Sequence, residues 1–291
     1  MSKPSFAIVG CGTLGTALGR LLFQAGYPVA GVASRSLSSA ERVARELETD
    51  AYGTSPWEIT KNASLVFLTT PDDAVEGVCR KIAENGGFAK GAVVLHSSGA
   101  LSSAILESAR KAGAFAGSMH PMQSFAGARP GVNLFSGILV TVEGDPEALA
   151  AGRMVAADLG AFHARVNAEA KALYHAAAVT ASNYLVTLLS MAFSLNETAG
   201  IDAEQSLRGL LPLIHGTLAN IESKGIPAAL TGPIARGDVA TVERHLSEMA
   251  ARLPALVPLY KRLGAHTVPL AKAKGGLTEE AAEKLMELFK D

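Results

Sequence analysis

The sequence contains few cysteines, few aromatic residues and no excess of either charge, and these shortages exclude several classes of protein. The two cysteines, Cys11 and Cys79, are too few for a disulfide framework or a zinc site, and we expect both to be small buried side chains. The 26 basic residues are matched by 27 acidic ones, which gives a net charge of −1. Neither half of the chain is polybasic, so the charge excludes a nucleic-acid-binding surface.

Long apolar runs are also missing. The run Phe6–Val9 near the N-terminus is too short for the core of a signal peptide and predicts a strand. The segment Leu173–Leu195 has the length of a membrane span, but a histidine, an asparagine and several hydroxyl residues interrupt it. We therefore predict a buried helix there, in a soluble cytoplasmic protein that does not bind membranes.

Short apolar or β-branched runs alternate with helical patterns as far as residue 166. The strand candidates are Phe6–Val9, Val29–Ala33, Leu65–Thr69, Ala92–Leu95, Ala114–Gly117, Gly137–Val142 and Phe162–Val166. The helical segments between them include Leu14–Ala25, Ser39–Leu47, Asp73–Glu84 and Pro146–Leu159. This alternation predicts βαβ units and a mostly parallel sheet covered by helices on both faces.

After Asn167 the strand signal disappears. The helical patterns there are Ala168–Thr198, Ala203–Leu218, Val239–Ala251 and Glu279–Lys290, and Thr278 is a good N-cap for the last of them. We predict a Rossmann-type, doubly wound α/β domain over residues 1–166 and an all-α domain over residues 167–291.

The first strand leads directly into a glycine-rich motif, GCGTLG, that opens a helix. Gly10, Gly12 and Gly15 supply the tight turn, the close approach of backbone to a pyrophosphate and the close packing of helix on strand. Thr13 and Leu14 begin the helix, whose free amides and positive dipole end attract phosphates. Because a second strand follows at the expected distance, we predict a dinucleotide site.

The end of the second strand distinguishes the two nicotinamide cofactors. NAD sites place a carboxylate there to hold the ribose 2′-hydroxyl, but this sequence has Ser34, Arg35 and Ser36. An arginine between two hydroxyls suits a 2′-phosphate, to which it can donate charge-assisted hydrogen bonds. We therefore predict NADP(H), with Thr70 and Pro71 at the end of a later strand as further cofactor contacts.

Two more loops offer groups for a substrate. Ser97 and Ser98 follow a strand, where they would hold a substrate carboxylate or the nicotinamide amide; alternatively, Ser98 caps the following helix. His120 stands at the end of another strand and is fixed by Pro121, so it is a candidate catalytic residue near the nicotinamide, with a structural hydrogen bond as the alternative.

The long helical run carries a second set of candidates. At 100° per residue, His175 and Ser182 lie within about 40° of Lys171, whereas Asn183 lies about 120° away on a neighbouring wall. A lysine beside an apolar wall can polarise a carbonyl or protonate an alkoxide. Further along, Arg236 is a candidate clamp for a carboxylate, and Asp238 reads as an N-cap. No metal site is predicted.

These motifs together resemble a bacterial family that pairs a Rossmann-like domain with a helical domain of unknown function. The matching segments are GCGTLG, HSSGAL, GSMHPMQSF, KALYHAAAVTASNY and TGPIARGD. The family lies in the 6-phosphogluconate dehydrogenase-like superfamily, with ketopantoate reductases, pyrroline-5-carboxylate reductases, prephenate dehydrogenases and deazaflavin-dependent NADP reductases. The resemblance implies ketopantoate as a candidate substrate and a homodimer formed through the helical domain. It departs from the β-hydroxyacid branch, which has an asparagine where this chain has His175.

We therefore predict an NADPH-dependent reductase of a small carboxylated ketone, with a ketopantoate-like 2-oxo acid favoured. Lys171 would polarise the carbonyl or donate the proton, with His175 or His120 as relay. Ser97, Ser98 and Arg236 would hold the carboxylate. The alternatives are a pyrroline-5-carboxylate-type imine, a prephenate-type substrate, and a non-catalytic NADP(H)-binding sensor or partner protein.

Overall fold

A computed structural model describes residues 3–125 and 132–290. The chain divides into two compact units, Met1–Ala181 and Ser182–Asp291, and the division falls inside a long helix. Each unit is described here by itself.

The first unit is built on one eight-stranded sheet. Its strands are β1 (Phe6–Val9), β2 (Val29–Ala33), β3 (Tyr52–Gly53), β4 (Leu65–Leu68), β5 (Val93–His96), β6 (Phe115–Pro121), β7 (Leu139–Gly144) and β8 (Phe162–Arg165). They lie in the order β3-β2-β1-β4-β5-β6-β7-β8, and only the β6–β7 pair is antiparallel. The strand order therefore reverses at β1 and β4, and ligands bind at the carboxyl ends of strands at such a point.

Helices cover both faces of this sheet. They are α1 (Thr13–Gln24), α2 (Leu37–Glu46), α3 (Pro56–Thr60), α4 (Asp72–Glu84), α5 (Glu107–Lys111) and α6 (Pro146–Asp158). Because side chains alternate along a strand, Phe67 packs into the core under one face while Val66 and Leu68 pack under the other. Cys11 and Cys79 are buried, free thiols, one in each core, as predicted.

The second unit is helical. The long helix α7 (Lys171–Thr198) enters it, and α8 (Ala203–Lys224), α9 (Pro233–Arg236), α10 (Val239–Arg252), α11 (Val257–Lys274) and α12 (Glu279–Leu288) follow. Val242, Val268, Leu285 and Phe289 form its small core. The side chains of Asp238 and Thr278 accept backbone N–H bonds at the starts of α10 and α12, which confirms both predicted caps.

The predicted fold class is confirmed, and most predicted elements lie within a few residues of the observed ones. The short elements β3 and α3 were not predicted, because two strand residues and five helix residues carry too little periodicity.

The prediction of a buried helix over Leu173–Leu195 is wrong for the single chain. Residues 168–198 form a helix long and apolar enough to span a membrane, yet only 6% of its most apolar window is buried. Leu173, Tyr184 and Val186 are each more than half exposed. Sequence composition shows that these side chains are apolar and favour burial, but it does not show which surface would cover them.

Candidate active site

The glycine loop between β1 and α1 is shaped by close backbone contacts. Gly10 has φ of +113°, and a Cβ on it would lie 2.7 Å from the backbone carbonyl carbon of Thr69. A Cβ on Gly15 would clash with the carbonyl oxygen of Gly10. The Thr69 hydroxyl donates to that same oxygen at 2.7 Å, which ties the loop to the end of β4. Only glycine fits these two positions.

The start of α1 has the properties of a phosphate site. Gly12 is the N-cap and provides no side-chain hydrogen bond, so the helix begins without a capping group. A Cβ on Gly12 would meet nothing within 4 Å, and both Gly12 and Thr13 are exposed. An uncapped helix start below open space fits the pyrophosphate of a dinucleotide, which would accept the free amides.

The end of β2 lies beside this loop. Ser34 is partly exposed and Arg35 is exposed. The Ser36 hydroxyl caps α2 by accepting from Ser39 N. Arg42 on α2 reaches back and donates to the carbonyl oxygen of Cys11 at 3.3 Å. Arg42 is therefore a second arginine near the predicted site of the 2′-phosphate, in addition to Arg35, which the sequence motif indicated.

The loop after β4 holds the other two predicted cofactor contacts. The Thr70 hydroxyl is buried and has no hydrogen-bond partner among the described residues, and Pro71 is the N-cap of α4. Because a buried hydroxyl without a partner costs free energy, Thr70 is a group that a bound ligand would satisfy.

Lys171 is the most unusual residue of the unit. It opens α7, and its side chain is 1% exposed. Its ammonium donates to the Ser118 hydroxyl at 2.7 Å and to the Ser98 carbonyl at 3.0 Å. Burial lowers the pKa of Lys171 to about 8, against the opposing effect of the negative charges of Glu143 and Asp72. A lysine with such a pKa exchanges its proton near neutral pH.

A buried carboxylate stands behind Lys171. Glu143 is 7% exposed and lies on β7 opposite Ser118 of β6. Its oxygens accept from Ser103 N at 2.8 Å, from Ser103 Oγ at 2.7 Å and from Ser118 Oγ at 3.4 Å. Lys171, Ser118 and Glu143 thus form a continuous hydrogen-bonded chain inside the unit.

Two of the three histidines near Lys171 are held uncharged. Burial, and next the charge of Lys171, lower the pKa of His96 to about 3 and that of His120 to about 4. His120 Nδ1 is 2.8 Å from the Tyr174 hydroxyl. His120 Nε2 and His175 Nδ1 each lie 2.8 Å from the point where a Cβ on Gly99 would stand, so glycine is required there. The structure thus brings the three predicted catalytic residues, Lys171, His175 and His120, to one place.

The Ser98 hydroxyl is already committed to the protein. It donates to Asp72 at 2.7 Å and accepts from Ala100 N and Leu101 N. The alternative that Ser98 caps the following helix is therefore wrong, because its hydroxyl stabilises a loop and the next helical turn has Ser102 as its N-cap. Ser97 is partly exposed, and its amide donates to the Leu68 carbonyl.

Three predicted substrate residues lie in the second unit. Ser182 and Asn183 are exposed on α7, and Arg236 is exposed in the last turn of α9. The structure does not group them with one another into a site. Among the described residues, no group of three or more metal-binding side chains is placed to hold an ion.

Comparison with protein families finds two models that match successive parts of the chain. The model of the Rossmann-like domain matches residues 2–121, and that of a domain of unknown function, DUF2520, matches residues 138–267. The chain thus resembles a Rossmann-like domain followed by a DUF2520 domain. The pairing confirms the resemblance to a Rossmann-like domain followed by a helical domain of unknown function. Comparison with curated proteins gives no match.

Solved structures share this architecture over nearly the whole chain. BF3122 from Bacteroides fragilis, described as an NADP oxidoreductase, has a TM-score of 0.72 and 25% identity over 94% of this chain and 98% of its own. TM1727 from Thermotoga maritima has a TM-score of 0.71 and 27% identity, over 96% of this chain and 98% of its own. A reductive aminase from Aspergillus terreus, solved with NADPH and ethyl-5-oxohexanoate, has a TM-score of 0.65 and 17% identity, over 99% of this chain and 100% of its own. At this identity the likeness shows the fold alone.

Several residues of the site were not predicted. Glu143 carries a signal in the sequence, since it is a lone charge inside the apolar run of β7. Asp72, at the start of α4, and His96, at the end of β5, lie in segments that the motifs had marked, but no role was predicted for either. Tyr174 and Arg42 offer no sequence signal, because their partners come from distant elements.

Proposed function

We propose that this protein is an NADPH-dependent oxidoreductase that reduces a small ketone or imine, with Lys171 as the proton donor. The observation that carries the proposal is the buried ammonium of Lys171, which is 2.7 Å from Ser118 Oγ and surrounded by histidines, two of them held neutral. An ammonium whose pKa is lowered to about 8 is a suitable proton donor near neutral pH.

The cofactor assignment rests on two features of the first unit. The uncapped start of α1 above the glycine loop fits a pyrophosphate, and Arg35 at the end of β2 fits a 2′-phosphate. The description of the Bacteroides fragilis relative as an NADP oxidoreductase supports the same cofactor.

The chain's own residues supply the proton chemistry. When bound, NADPH supplies a hydride to the substrate carbon. Lys171 then donates a proton to the oxygen or nitrogen on which negative charge develops, and becomes a neutral amine. The Ser98 carbonyl and Ser118 hydroxyl hold Lys171 Nζ in place throughout, since both accept its hydrogen bonds. The His120 ring, which burial holds neutral, is able to pass a proton between this site and the surrounding water, and His175 lies beside it.

The class of substrate is open between carbonyl compounds and imines. A ketopantoate-like acid follows from the family resemblance, and a pyrroline-5-carboxylate-type imine is the alternative that the same superfamily offers. The Ser98 hydroxyl, bonded to Asp72, is not free to bind a carboxylate, so it gives the acid no advantage. The test is NADPH consumption against matched sets of 2-oxo acids, neutral ketones and cyclic imines, with NADH as the control.

We propose further that the protein forms a homodimer through its helical region. The apolar side chains of α7 and α8 that are exposed include Val186 at 67% and Leu213 at 65%. An apolar surface of this kind marks an interface, and a second copy of the chain is the partner that the family resemblance implies.

A further inference from the structure

Glu143 has no place in the proton donation described above, yet it is among the most deeply buried charged groups of the first unit. It lies near the end of β7, the second strand from one edge of the sheet, where burial of an unpaired carboxylate would cost free energy. Burial of a carboxylate is tolerated when hydrogen bonds and a positive charge compensate it. The compensating groups here are Ser118, which leads to the charge of Lys171, and Ser103, which leads to that of Arg110.

The Ser118 hydroxyl connects the two charges in a fixed direction. It accepts from Lys171 Nζ at 2.7 Å and donates its own proton towards Glu143 Oε2 at 3.4 Å. In this direction the chain favours the ammonium form of Lys171, because each hydrogen bond runs from the cation towards the anion. A neutral lysine amine still donates to Ser118, but that bond is weaker because the donor carries no charge.

The other charges around Lys171 do not replace Glu143. Asp72 on α4 carries negative charge but is exposed and bonded to Ser98. His96 on β5, His120 on β6 and His175 on α7 face the same space, and the first two oppose the ammonium when they are protonated. On the far side, Arg110 donates to Ser103 and pairs with Asp145 at 3.0 Å, which anchors Ser103 under Glu143.

We propose that Glu143 is a positioning residue: through the Ser118 hydroxyl its carboxylate holds Lys171 in the protonated form that donates, and fixes the direction of its ammonium. This inference rests on the proposed function only in taking Lys171 as the donor. The link between Glu143 and Lys171 itself is measurable without any substrate.

The test follows the titration of Lys171 by NMR in protein labelled with 13C at lysine Cε, with the signal assigned by its loss in Lys171→Met. We expect the midpoint of Lys171 to fall by about one pH unit or more in Glu143→Gln, because the amide keeps hydrogen bonds to Ser103 but removes the charge. Glu143→Asp, which restores the charge, should lie between the two. Glu84→Gln, an exposed carboxylate at the far end of α4, is the matched control and should leave the midpoint unchanged.

A second variant and a turnover measurement complete the test. If Glu143→Gln does not fold, as judged by circular dichroism, Ser118→Ala replaces it, and its Lys171 midpoint should also fall. An unmoved midpoint in the folded variant overturns the inference. Retained turnover in Lys171→Met instead overturns the proposed function, so the two failures are distinguishable. Where turnover is measured, the alkaline limb of the pH profile should move down with the midpoint in Glu143→Gln, which a purely structural role of Glu143 would not cause.

Discussion

The ammonium of Lys171 lies 2.7 Å from the hydroxyl of Ser118, although one residue opens α7 and the other stands in the middle of β6. This bond fixes the first turn of α7 to the sheet that carries the glycine loop. The donor is therefore held by strands and not by a loop, which is the arrangement that keeps a catalytic group within a narrow range of positions.

Lys171→Met removes the proposed proton donor while keeping an apolar chain of similar length. We expect turnover with NADPH to fall by roughly 10²–10⁴-fold, the usual contribution of a general acid. The dissociation constant of NADPH, measured by fluorescence titration, should change little. Lys90→Met, at an exposed position, is the matched control. Turnover within twofold of the parent protein would remove Lys171 from the mechanism.

Arg35→Ala tests the choice of cofactor. The variant should bind NADPH more weakly by roughly 1.5–3 kcal/mol, the contribution of a hydrogen bond to a charged group, and NADH about as before. Calorimetric titration of both cofactors measures the difference. Arg45→Ala is the control: Arg45 lies on α2 and is paired with Glu41 at the surface, so its loss should change the binding of neither cofactor. Equal loss for both cofactors would show that Arg35 does not contact the 2′-phosphate.

The two glycines of the cofactor loop should respond differently to alanine. At Gly12 the new methyl group would stand in open space and in an extended backbone conformation, so the melting temperature should hardly change while NADPH binding is blocked. At Gly15 it would clash with Gly10, so stability should fall by about 1–3 kcal/mol or more. Thermal unfolding with and without NADPH separates the two cases. Unimpaired NADPH binding by Gly12→Ala would contradict the proposed position of the pyrophosphate.

The sequence predicts those parts of this site that depend on local pattern. The glycine motif, the strand ends and the spacing of Lys171 and His175 are all local, and the structure brings these histidine and lysine side chains together. Glu143 and Tyr174 were out of reach, because their roles depend on Ser118 and His120, which lie on other elements. The exposure of α7 was also out of reach, since composition does not reveal whether an apolar helix packs inside its own chain or against another.

The buried histidines should make the fold sensitive to acid. His96 and His120 have pKa values lowered to about 3 and about 4, whereas the unfolded chain binds their protons near pH 6.5. Stability is therefore complete above pH 6.5 and falls as the pH drops towards 4, with an upper bound of about 1.4 kcal/mol for each unit of depression. His96→Asn, whose side-chain oxygen can accept from Ser98 N, should flatten this dependence in urea unfolding experiments. An equally steep dependence in the variant would contradict the assignment to His96.

Charge placed on the exposed apolar surface should separate a dimer. In light scattering after size exclusion, the parent protein should have twice the mass of the chain, and Leu213→Glu should shift it towards the monomer. Ser223→Glu, at an exposed polar position of the same helix, is the control. A parent protein that is monomeric at all concentrations would contradict the proposed interface.

The measurement that tests the central claim most directly is NADPH oxidation by the parent protein and by Lys171→Met, across pH 6–10. The substrates are the matched sets of 2-oxo acids, neutral ketones and cyclic imines. We expect turnover of one class, a loss of about tenfold per pH unit above the Lys171 pKa of about 8, and almost no turnover in the variant. Tight NADPH binding without turnover of any class, or equal turnover by the variant, would contradict a reductase whose proton donor is Lys171.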